Sequence, residues 1–215
     1  MKSDNQLQID VMEELKWEPS VDHERIGVSV ADGVVTLSGT VRSYAEKMLA
    51  EKTARRVKGV RAVAEELQVR YDWEPKKSDP EIAKRIADIL EWDPLVPPGL
   101  EVTVQKGIVK LAGKVEWNYQ RDLAVEDAAK ITGVVQIDNR IEVAPHVFTS
   151  DVRHRIEEAF ERNADLEAEK IEIHALDGKV TLSGSVSSLN RRHLAESAAW
   201  AAPGVTLVED KLMVA

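Results

Sequence analysis

The sequence contains no cysteine in its 215 residues. Without thiols there can be no disulfide bond and no thiolate metal site, a composition typical of proteins from reducing compartments. No apolar run approaches the roughly 18 residues that a membrane-spanning helix needs. The first residues, Met1 to Gln6, lead into charged helical sequence and not into the apolar segment of a secretory signal. We therefore expect a soluble cytoplasmic protein, or a periplasmic one if a signal peptide has been removed.

Positive charge is in short supply, because 29 Lys and Arg residues face 38 Asp and Glu residues, for a net charge of −9. The deficit is spread along the chain, at −3 for residues 1–75, −2 for 76–146 and −4 for 147–215. Nucleic-acid binders neutralise phosphates with a surplus of cations, so no nucleic-acid partner is expected. A hydrophobic content of 43% with 31% charged residues indicates packed cores and excludes a disordered chain.

Glycine is also scarce, and nine of the 11 glycines follow one internal repeat. The segment from Gly33 to Gly39 recurs from Gly107 to Gly113 and from Gly178 to Gly184, at intervals of 74 and 71 residues. A further glycine follows 20 residues later each time. Such self-similarity predicts three copies of one structural unit. The nine predicted structural glycines are Gly33, Gly39, Gly59, Gly107, Gly113, Gly133, Gly178, Gly184 and Gly204.

Each copy shows the same succession of hydrophobic patterns. A helical pattern of four-residue spacing comes first, as in Ile82, Ile86 and Leu90, and its start is marked by Ser78-Asp79-Pro80 and by Ser150-Asp151. Two alternating segments joined by Asp32-Gly33, Lys106-Gly107 or Asp177-Gly178 predict a β-hairpin, with Lys106-Gly107 the poorest of the three turns. A second helix starting near Tyr44, Asn118 and Leu189 and a last strand complete the unit.

The predicted fold class is therefore α+β, with three tandem α-β-β-α-β modules, each a small three-stranded mixed sheet with two helices on one face. The predicted domains are residues 1–71, 78–144 and 149–215. Modules of this size have small cores, and the links from Tyr71 to Ser78 and from Ala144 to Thr149 are short. We therefore expect neighbouring modules to touch.

Two sets of glycines have predicted packing roles. Gly39, Gly113 and Gly184 fall on the inward side of the second strand, where a missing side chain lets a helix backbone approach or allows a bulge. Gly59, Gly133 and Gly204 are predicted to end the second helix in the left-handed conformation.

The strand pattern Gly-x-Val-x-Leu-x-Gly-x-Val and the later Gly-Val pair resemble the BON family, named for bacterial osmotically inducible and nodulation proteins and also labelled transport-associated. The motif occurs in full from Gly33 to Val41, from Gly107 to Val115 and from Gly178 to Val186. The Gly-Val pair follows at residues 59–60, 133–134 and 204–205, and the likeness covers nearly the whole chain in three tandem copies. The resemblance implies the α-β-β-α-β fold, no enzymatic activity, and no catalytic residues or cofactor.

The resemblance also implies a binding role in osmotic or envelope stress or in transport. Partners of three kinds stay open: a phospholipid membrane surface, an envelope glycan or a protein. The alternative is a cytoplasmic ion-sensing or self-assembling scaffold protein that forms a homo-oligomer, since backbone carbonyls in glycine turns can ligate a hard cation without a side-chain motif.

A single basic cluster is the candidate site for an anionic surface, each cation near such a surface contributing about 1 kcal/mol. The simpler interpretation is that cations suit the C-terminus of a helix and a solvated face. The module 2 counterpart offers Glu126 and Asp127 instead. The five residues of the basic cluster are Lys52, Arg55, Arg56, Lys58 and Arg61.

The tryptophans and histidines give little indication of a ligand or metal site. Trp17-Glu18-Pro19 and Trp92-Asp93-Pro94 mark the same place in two modules, and packing against their own sheet edge or the next module is favoured over ligand binding. The remaining tryptophans, Trp73, Trp117 and Trp200, have no counterparts in the other copies. No metal site is predicted, because no two of the five histidines, His23, His146, His154, His174 and His193, have ligand spacing.

Catalytic chemistry has no candidate motif in this sequence. Ser38 and Ser183 lie beside glycines, but neither lies in a nucleophile-elbow motif. A phosphate-binding glycine loop followed by lysine is also missing. Paired acids such as Glu13-Glu14, Glu65-Glu66 and Glu157-Glu158 are more simply solvated faces than acid/base couples. We therefore expect a binding protein and not an enzyme.

Overall fold

The computed structural model describes residues 2–71, 77–144, 152–163, 166 and 170–214. Within these ranges the chain repeats one order of elements three times, helix, strand, strand, helix, strand. The predicted helix start at Ser150-Asp151, Trp73, His146 and most of both links lie outside the described residues. The fold class predicted from the sequence is confirmed.

The elements have the following bounds, with a short 3₁₀ turn at His23–Arg25 before the first strand. Module 1 comprises α1 (Asp4–Trp17), β1 (Ile26–Ala31), β2 (Val34–Val41), α2 (Tyr44–Arg56) and β3 (Ala62–Val69). Module 2 comprises α3 (Asp79–Trp92), β4 (Glu101–Gln105), β5 (Ile108–Val115), α4 (Asn118–Ala129) and β6 (Gln136–Val143). Module 3 comprises α5 (Val152–Glu161), β7 (Lys170–Leu176), β8 (Lys179–Val186), α6 (Leu189–Trp200) and β9 (Leu207–Val214).

Each sheet has three strands with the second strand in the centre. In modules 1 and 3 the hairpin partner is antiparallel and the last strand is parallel to the central one, so the sheets are mixed as predicted. The parallel pairing arises because the second helix carries the chain back across the sheet between the two strands. Alternation then buries Val35, Leu37 and Val41 of β2 completely against the helices.

The hairpin turns adopt the conformation that the sequence predicts. Asp32 and Gly33 have φ values of 51° and 76°, and the other two turns match them closely. Positive φ at both central residues is the signature of the type I′ turn. Lys106, the least suitable residue of the set, nevertheless has a φ of 54°.

An aspartate at the start of the first helix of the module explains why the Lys106-Gly107 turn keeps its type I′ conformation. Asp79, the first residue of α3, accepts hydrogen bonds from the backbone N–H groups of Lys106 at 2.7 Å and Gly107 at 3.0 Å. Asp4 at the start of α1 does the same for Asp32 at 2.8 Å and Gly33 at 3.0 Å. The turn is thus fixed to the helix by two charge-assisted hydrogen bonds, a contact that the sequence analysis did not foresee.

The glycines inside the second strands have a different neighbour from the predicted one. Gly39 has a φ of 118°, and a Cβ added there would collide with the backbone carbonyl oxygen of Arg25. A Cβ at Gly184 would likewise strike the carbonyl oxygen of Lys170. The prediction of a close helix backbone is therefore wrong: the chain entering the first strand is what comes close.

The second helices end earlier than predicted. Helix α2 stops at Arg56, and Gly59 lies in the following turn, which the Val60 N–H closes by donating to the Val57 carbonyl oxygen at 3.2 Å. Gly59 has a φ of 104°, so the left-handed conformation was predicted correctly while the helix end was not. A turn whose third residue needs positive φ selects glycine for the same reason as a helix C-terminus does.

The chain divides into two compact units, Met1–Gly113 with Gln120–Ile141, and Lys114–Tyr119 with Glu142–Ala215. These bounds do not follow those of the modules, so the domain bounds derived from the sequence stay a prediction. Within the first unit, modules 1 and 2 touch, since the Tyr71 hydroxyl donates a hydrogen bond to the Val134 carbonyl oxygen at 2.7 Å.

Candidate anionic-surface site

The basic cluster lies on the last turns of α2 and on the loop that leads into β3. All five of its cationic side chains are exposed. Alternation of buried and exposed residues produces this arrangement, because Thr53, Ala54, Val57 and Val60 turn inward and leave the cations outside. Arg55 and Arg56 occupy the last turn of α2, where cations also complement the helix dipole.

Folding brings acidic side chains to two of these cations. Arg55 pairs with Glu51 at 2.5 Å on the same helix. Arg56 reaches across to α1, where its guanidinium lies 3.3 Å from the Glu18 carboxylate and 4.0 Å from that of Glu14. The stretch carries no acid in its own sequence, but the fold places three acids beside these two arginines. Both interpretations of the cluster stay predictions.

The other three cations are less engaged. Among the ion pairs of the described residues, none includes Lys52, Lys58 or Arg61. The backbone N–H of Arg61 donates to the Gly33 carbonyl oxygen at 2.9 Å, and its aliphatic stem passes along the hairpin turn. Their positive charges therefore face solvent. Exposed pairs such as Arg55–Glu51 contribute only about 0–1 kcal/mol, so those arginines can exchange partners readily.

An exposed tryptophan lies next to this cluster. Trp17 is the last residue of α1 and 85% exposed, and its neighbour Glu18 is the residue that Arg56 contacts. Trp92 at the equivalent place in module 2 is 86% exposed. The prediction that both side chains pack against a sheet edge or another module is therefore wrong. Trp200, by contrast, is buried.

The cluster is a property of module 1 alone. Superposing the repeat places Glu126, Ala129 and Thr132 of module 2 at the positions of Lys52, Arg55 and Lys58. In module 3 the same positions hold Ser197, Trp200 and Pro203. All three copies of the repeat thus share the fold, whereas only module 1 has the basic cluster.

The described part of the chain contains at least two grooves. One, of about 620 Å³, lies beside the N-terminus of α2 and is lined by Asp22, Arg42 and Glu46 among others. Glu46 is buried there and accepts hydrogen bonds from the backbone N–H groups of Asp22 at 2.8 Å and Arg42 at 2.7 Å, so its carboxylate has a structural role. The other, of about 560 Å³, lies between α5 and α6.

Metal and membrane-spanning features are not found in the residues that the structure describes. No group of three or more His, Asp or Glu side chains is arranged to hold a metal ion there. His154 lies 3.2 Å from Glu158 on the same helix, an exposed surface pair. None of the described helices combines the length and the apolar character that crossing a bilayer requires.

The serines beside glycines lie on β2 and β8, the central strands of their sheets. Ser38 is exposed and pairs across the hairpin with Gly27, and Ser183 is half-buried at the corresponding place. Both point away from the helices, since their neighbours Leu37 and Leu182 are the buried residues. The backbone carbonyl ion site of the ion-sensing alternative stays a prediction.

Comparisons with known proteins agree with the repeat. The family model described as BON domain matches residues 3–71, 78–145 and 149–215. Osmotically-inducible protein Y of Escherichia coli (strain K12) is 34% identical over 129 residues, which is 55% of this chain and 64% of that protein. The chain thus spans somewhat less than two thirds of this curated relative.

Two solved structures of CdsD, a structural protein of the type III secretion system of Chlamydia trachomatis, also align. The first is 13% identical, with coverage of 98% of this chain and 92% of that one and a TM-score of 0.27. The second, a C-terminal domain, is 14% identical with full coverage of both chains and the same TM-score of 0.27. A likeness this low has no bearing on function.

Proposed function

The chain belongs to the BON domain family, and we propose that it is a non-enzymatic stress-response protein that binds anionic phospholipid surfaces through module 1. The observation that carries the proposal is the exposed basic cluster with Trp17 beside it. Cations attract anionic head groups, and tryptophan favours the interface between head groups and acyl chains. Both the cations and the tryptophan occur in module 1, near the C-terminal ends of α1 and α2.

The strength of such binding can be bounded from the charges. Lys52, Lys58 and Arg61 contribute about 1 kcal/mol each near an anionic surface, or about 3 kcal/mol together. The protein as a whole carries −9, which opposes approach to the membrane in any other orientation. Binding should therefore be weak, reversible and oriented. Salt should weaken it, since the Debye length falls from about 30 Å at 0.01 M to about 10 Å at 0.1 M.

The stress-response part of the proposal rests on similarity. The relative from Escherichia coli is named as osmotically inducible, and this chain matches 64% of its length. Family membership and a chain without a catalytic motif favour a binding protein over an enzyme. A hydrolase-substrate screen of the wild-type protein and of a Ser38→Ala, Ser183→Ala double variant tests this: activity lost in the variant would contradict the proposal.

The lipid proposal is tested by co-sedimentation with vesicles of phosphatidylglycerol and phosphatidylcholine at low salt, against vesicles of phosphatidylcholine alone. We expect binding to the anionic vesicles only, and its loss as salt is raised. The test variant is Lys52→Gln, Lys58→Gln, Arg61→Gln, which removes three charges from the site.

A matched control removes the same charge from module 2, as Lys84→Gln, Lys106→Gln, Lys110→Gln, all at exposed positions. It should bind the anionic vesicles as the wild type does. If the wild type does not bind, or if both triple variants lose binding equally, the proposed site is wrong.

A further inference from the structure

The groove between α5 and α6 has an apolar floor and a charged rim. Alanine side chains from the two helices and from the turn after α6 line the groove. The volume of the groove is about 560 Å³. Arg155, Glu158 and Arg162 stand along the α5 side. Pockets of about 300–1,000 Å³ with apolar walls and a few polar groups are those that hold small ligands or large side chains. The apolar lining residues are Ala159, Ala198, Ala201, Ala202 and Pro203, of which Ala202 is buried and Ala201 is exposed.

The equivalent place is occupied in the other two modules. In module 1, Arg56 spans from Thr53, at 3.0 Å, to Glu18 at the C-terminal end of α1, at 3.3 Å. In module 2, Lys130 takes the position of Arg56 and lies 2.7 Å from Asp127. Module 3 has Ala201 at this position and Ala198 in place of Thr53 and Asp127. At the position of these long cationic side chains, module 3 therefore has only a methyl group.

Module 2 presents a side chain of suitable size on a fixed turn. Trp92 is 86% exposed and Leu95 is 53% exposed, and we call these two residues the Trp92 knob. The Leu95 N–H donates to the Asp93 carboxylate at 2.8 Å, and the Val96 N–H donates to the Asp93 carbonyl oxygen at 3.1 Å. Val96 is buried and anchors the turn. A knob held in place in this way loses little conformational freedom on docking.

We propose that the Trp92 knob of one copy of this protein docks into the module 3 groove of a second copy. The acidic residues Glu91 and Asp93 flank the knob. The groove is bordered by Arg155, Arg162 and Glu158, which pairs with Arg162 at 3.7 Å, so these three side chains leave a net charge of +1 to face the two acids. An indole also favours a guanidinium over its face. Tryptophan buries about 150–250 Å², which suits a groove floored by methyl groups.

Two different surfaces meet in the contact, so each copy offers one knob and one groove. Two copies that exchange knobs reciprocally give a two-fold dimer, whereas repetition in one direction gives chains or closed rings. The proposal is independent of lipid binding, since the basic cluster of module 1 takes no part in it.

Sedimentation velocity of the full chain over a wide concentration range tests the proposal. The wild type should form dimers or larger species as concentration rises. Trp92→Ala should remain monomeric, because it lacks the side chain that docks. It should still fold, since Trp92 is exposed and its removal leaves the core intact. Ala201→Arg, which copies the residue that module 1 has at this place, should also remain monomeric.

Mixing the two variants distinguishes this knob-in-groove contact from one in which the same surface of each copy meets itself. Trp92→Ala keeps a groove and Ala201→Arg keeps a knob, so the mixture should form one-to-one dimers and nothing larger. Trp17→Ala is the matched control: it removes an equally exposed tryptophan and should associate as the wild type does. Thermal unfolding of each variant verifies folding.

Three results would overturn the proposal. The first is a wild type that stays monomeric at the highest concentration reached. The second is association that Trp92→Ala leaves unchanged, and the third is a mixture of the two variants without a dimer.

Discussion

The hydroxyl of Tyr71 donates a hydrogen bond to the backbone carbonyl oxygen of Val134 over 2.7 Å. Tyr71 follows the last strand of module 1, and Val134 precedes the last strand of module 2. Tyr44, the first residue of α2, has a backbone hydrogen-bond contact at Ile137 in that same strand of module 2. Two tyrosines of module 1 thus contact the segment of module 2 that runs from Val134 into its last strand.

Alkaline pH should weaken this junction. Burial raises the pKa of Tyr71, with a backbone hydrogen bond at Gly133 acting in the opposite direction, and burial also raises the pKa of Tyr44. A pKa raised in the folded state means that folding favours the protonated phenol. The resulting stability is complete below the unfolded pKa of about 10 and is lost as pH rises through the folded value.

We therefore expect the free energy of unfolding to decline above about pH 10 by more in the wild type than in Tyr71→Phe. Urea denaturation at a series of pH values measures this. At neutral pH the variant should lose about 1 kcal/mol, the usual contribution of one hydrogen bond. Identical pH profiles for the two proteins would show that Tyr71 does not titrate with unfolding.

Gly39→Ala should be strongly destabilising, by about 3 kcal/mol or more, because it adds a clash with the Arg25 carbonyl to the strain of a positive φ. Gly59→Ala is the matched control. Gly59 also has a positive φ, but an added Cβ would meet its nearest neighbour, Leu7, at an ordinary 3.6 Å. The control should lose about 1–2 kcal/mol. Equal losses in thermal or urea unfolding would refute the close approach at Gly39.

Asp79→Ala should lower the free energy of unfolding by about 1–3 kcal/mol, because two backbone N–H groups of the Lys106-Gly107 turn lose their acceptor. Asp88→Ala, which removes an exposed acid from the same helix, should change it by no more than about 0.5 kcal/mol. Amide hydrogen exchange at Lys106 and Gly107 should accelerate in the first variant only. Unchanged exchange there would mean that Asp79 does not hold the turn.

Lys106→Asn should stabilise the protein by up to about 1 kcal/mol, since asparagine tolerates the left-handed conformation that lysine adopts here at a φ of 54°. Urea unfolding measures the change. Lys110→Asn, on the neighbouring strand β5, serves as the control for the loss of one lysine and should not stabilise. A stabilisation of equal size in both variants would point to charge and not to the turn.

Local sequence patterns predicted the features that depend on backbone conformation. The positive φ at Gly33, Gly107 and Gly178 followed from the hairpin signal, and the burial of Val35 and Leu37 followed from alternation along the strand. The start of α3 at Ser78-Asp79-Pro80 followed from capping chemistry, and the Ser78 N–H indeed donates to the Glu81 carboxylate at 3.3 Å. Each of these depends on residues a few positions apart.

Apart from the end of α2, which lies three residues before Gly59, the errors concern residues distant in the sequence. Arg56 and Glu18 are 38 positions apart, so their pairing could not be read from the basic stretch. The carboxylate of Asp79 is 27 positions from the turn that it holds. An aspartate at the first turn of α1 and α3 was the one signal available, and it is ambiguous because acids there also complement the helix dipole.

The sequence alone determined that three like modules form, because glycine placement and hydrophobic periodicity act on the backbone locally and recur in register. Only the tertiary structure decided which charges face solvent, which tryptophans are exposed, and which side chains lie at the equivalent place between the helices of each copy. Those properties depend on which side chains of α1 and α2, or of α5 and α6, meet across space. Because the repeat preserves the backbone but not every side chain, these contacts can differ from one copy to the next.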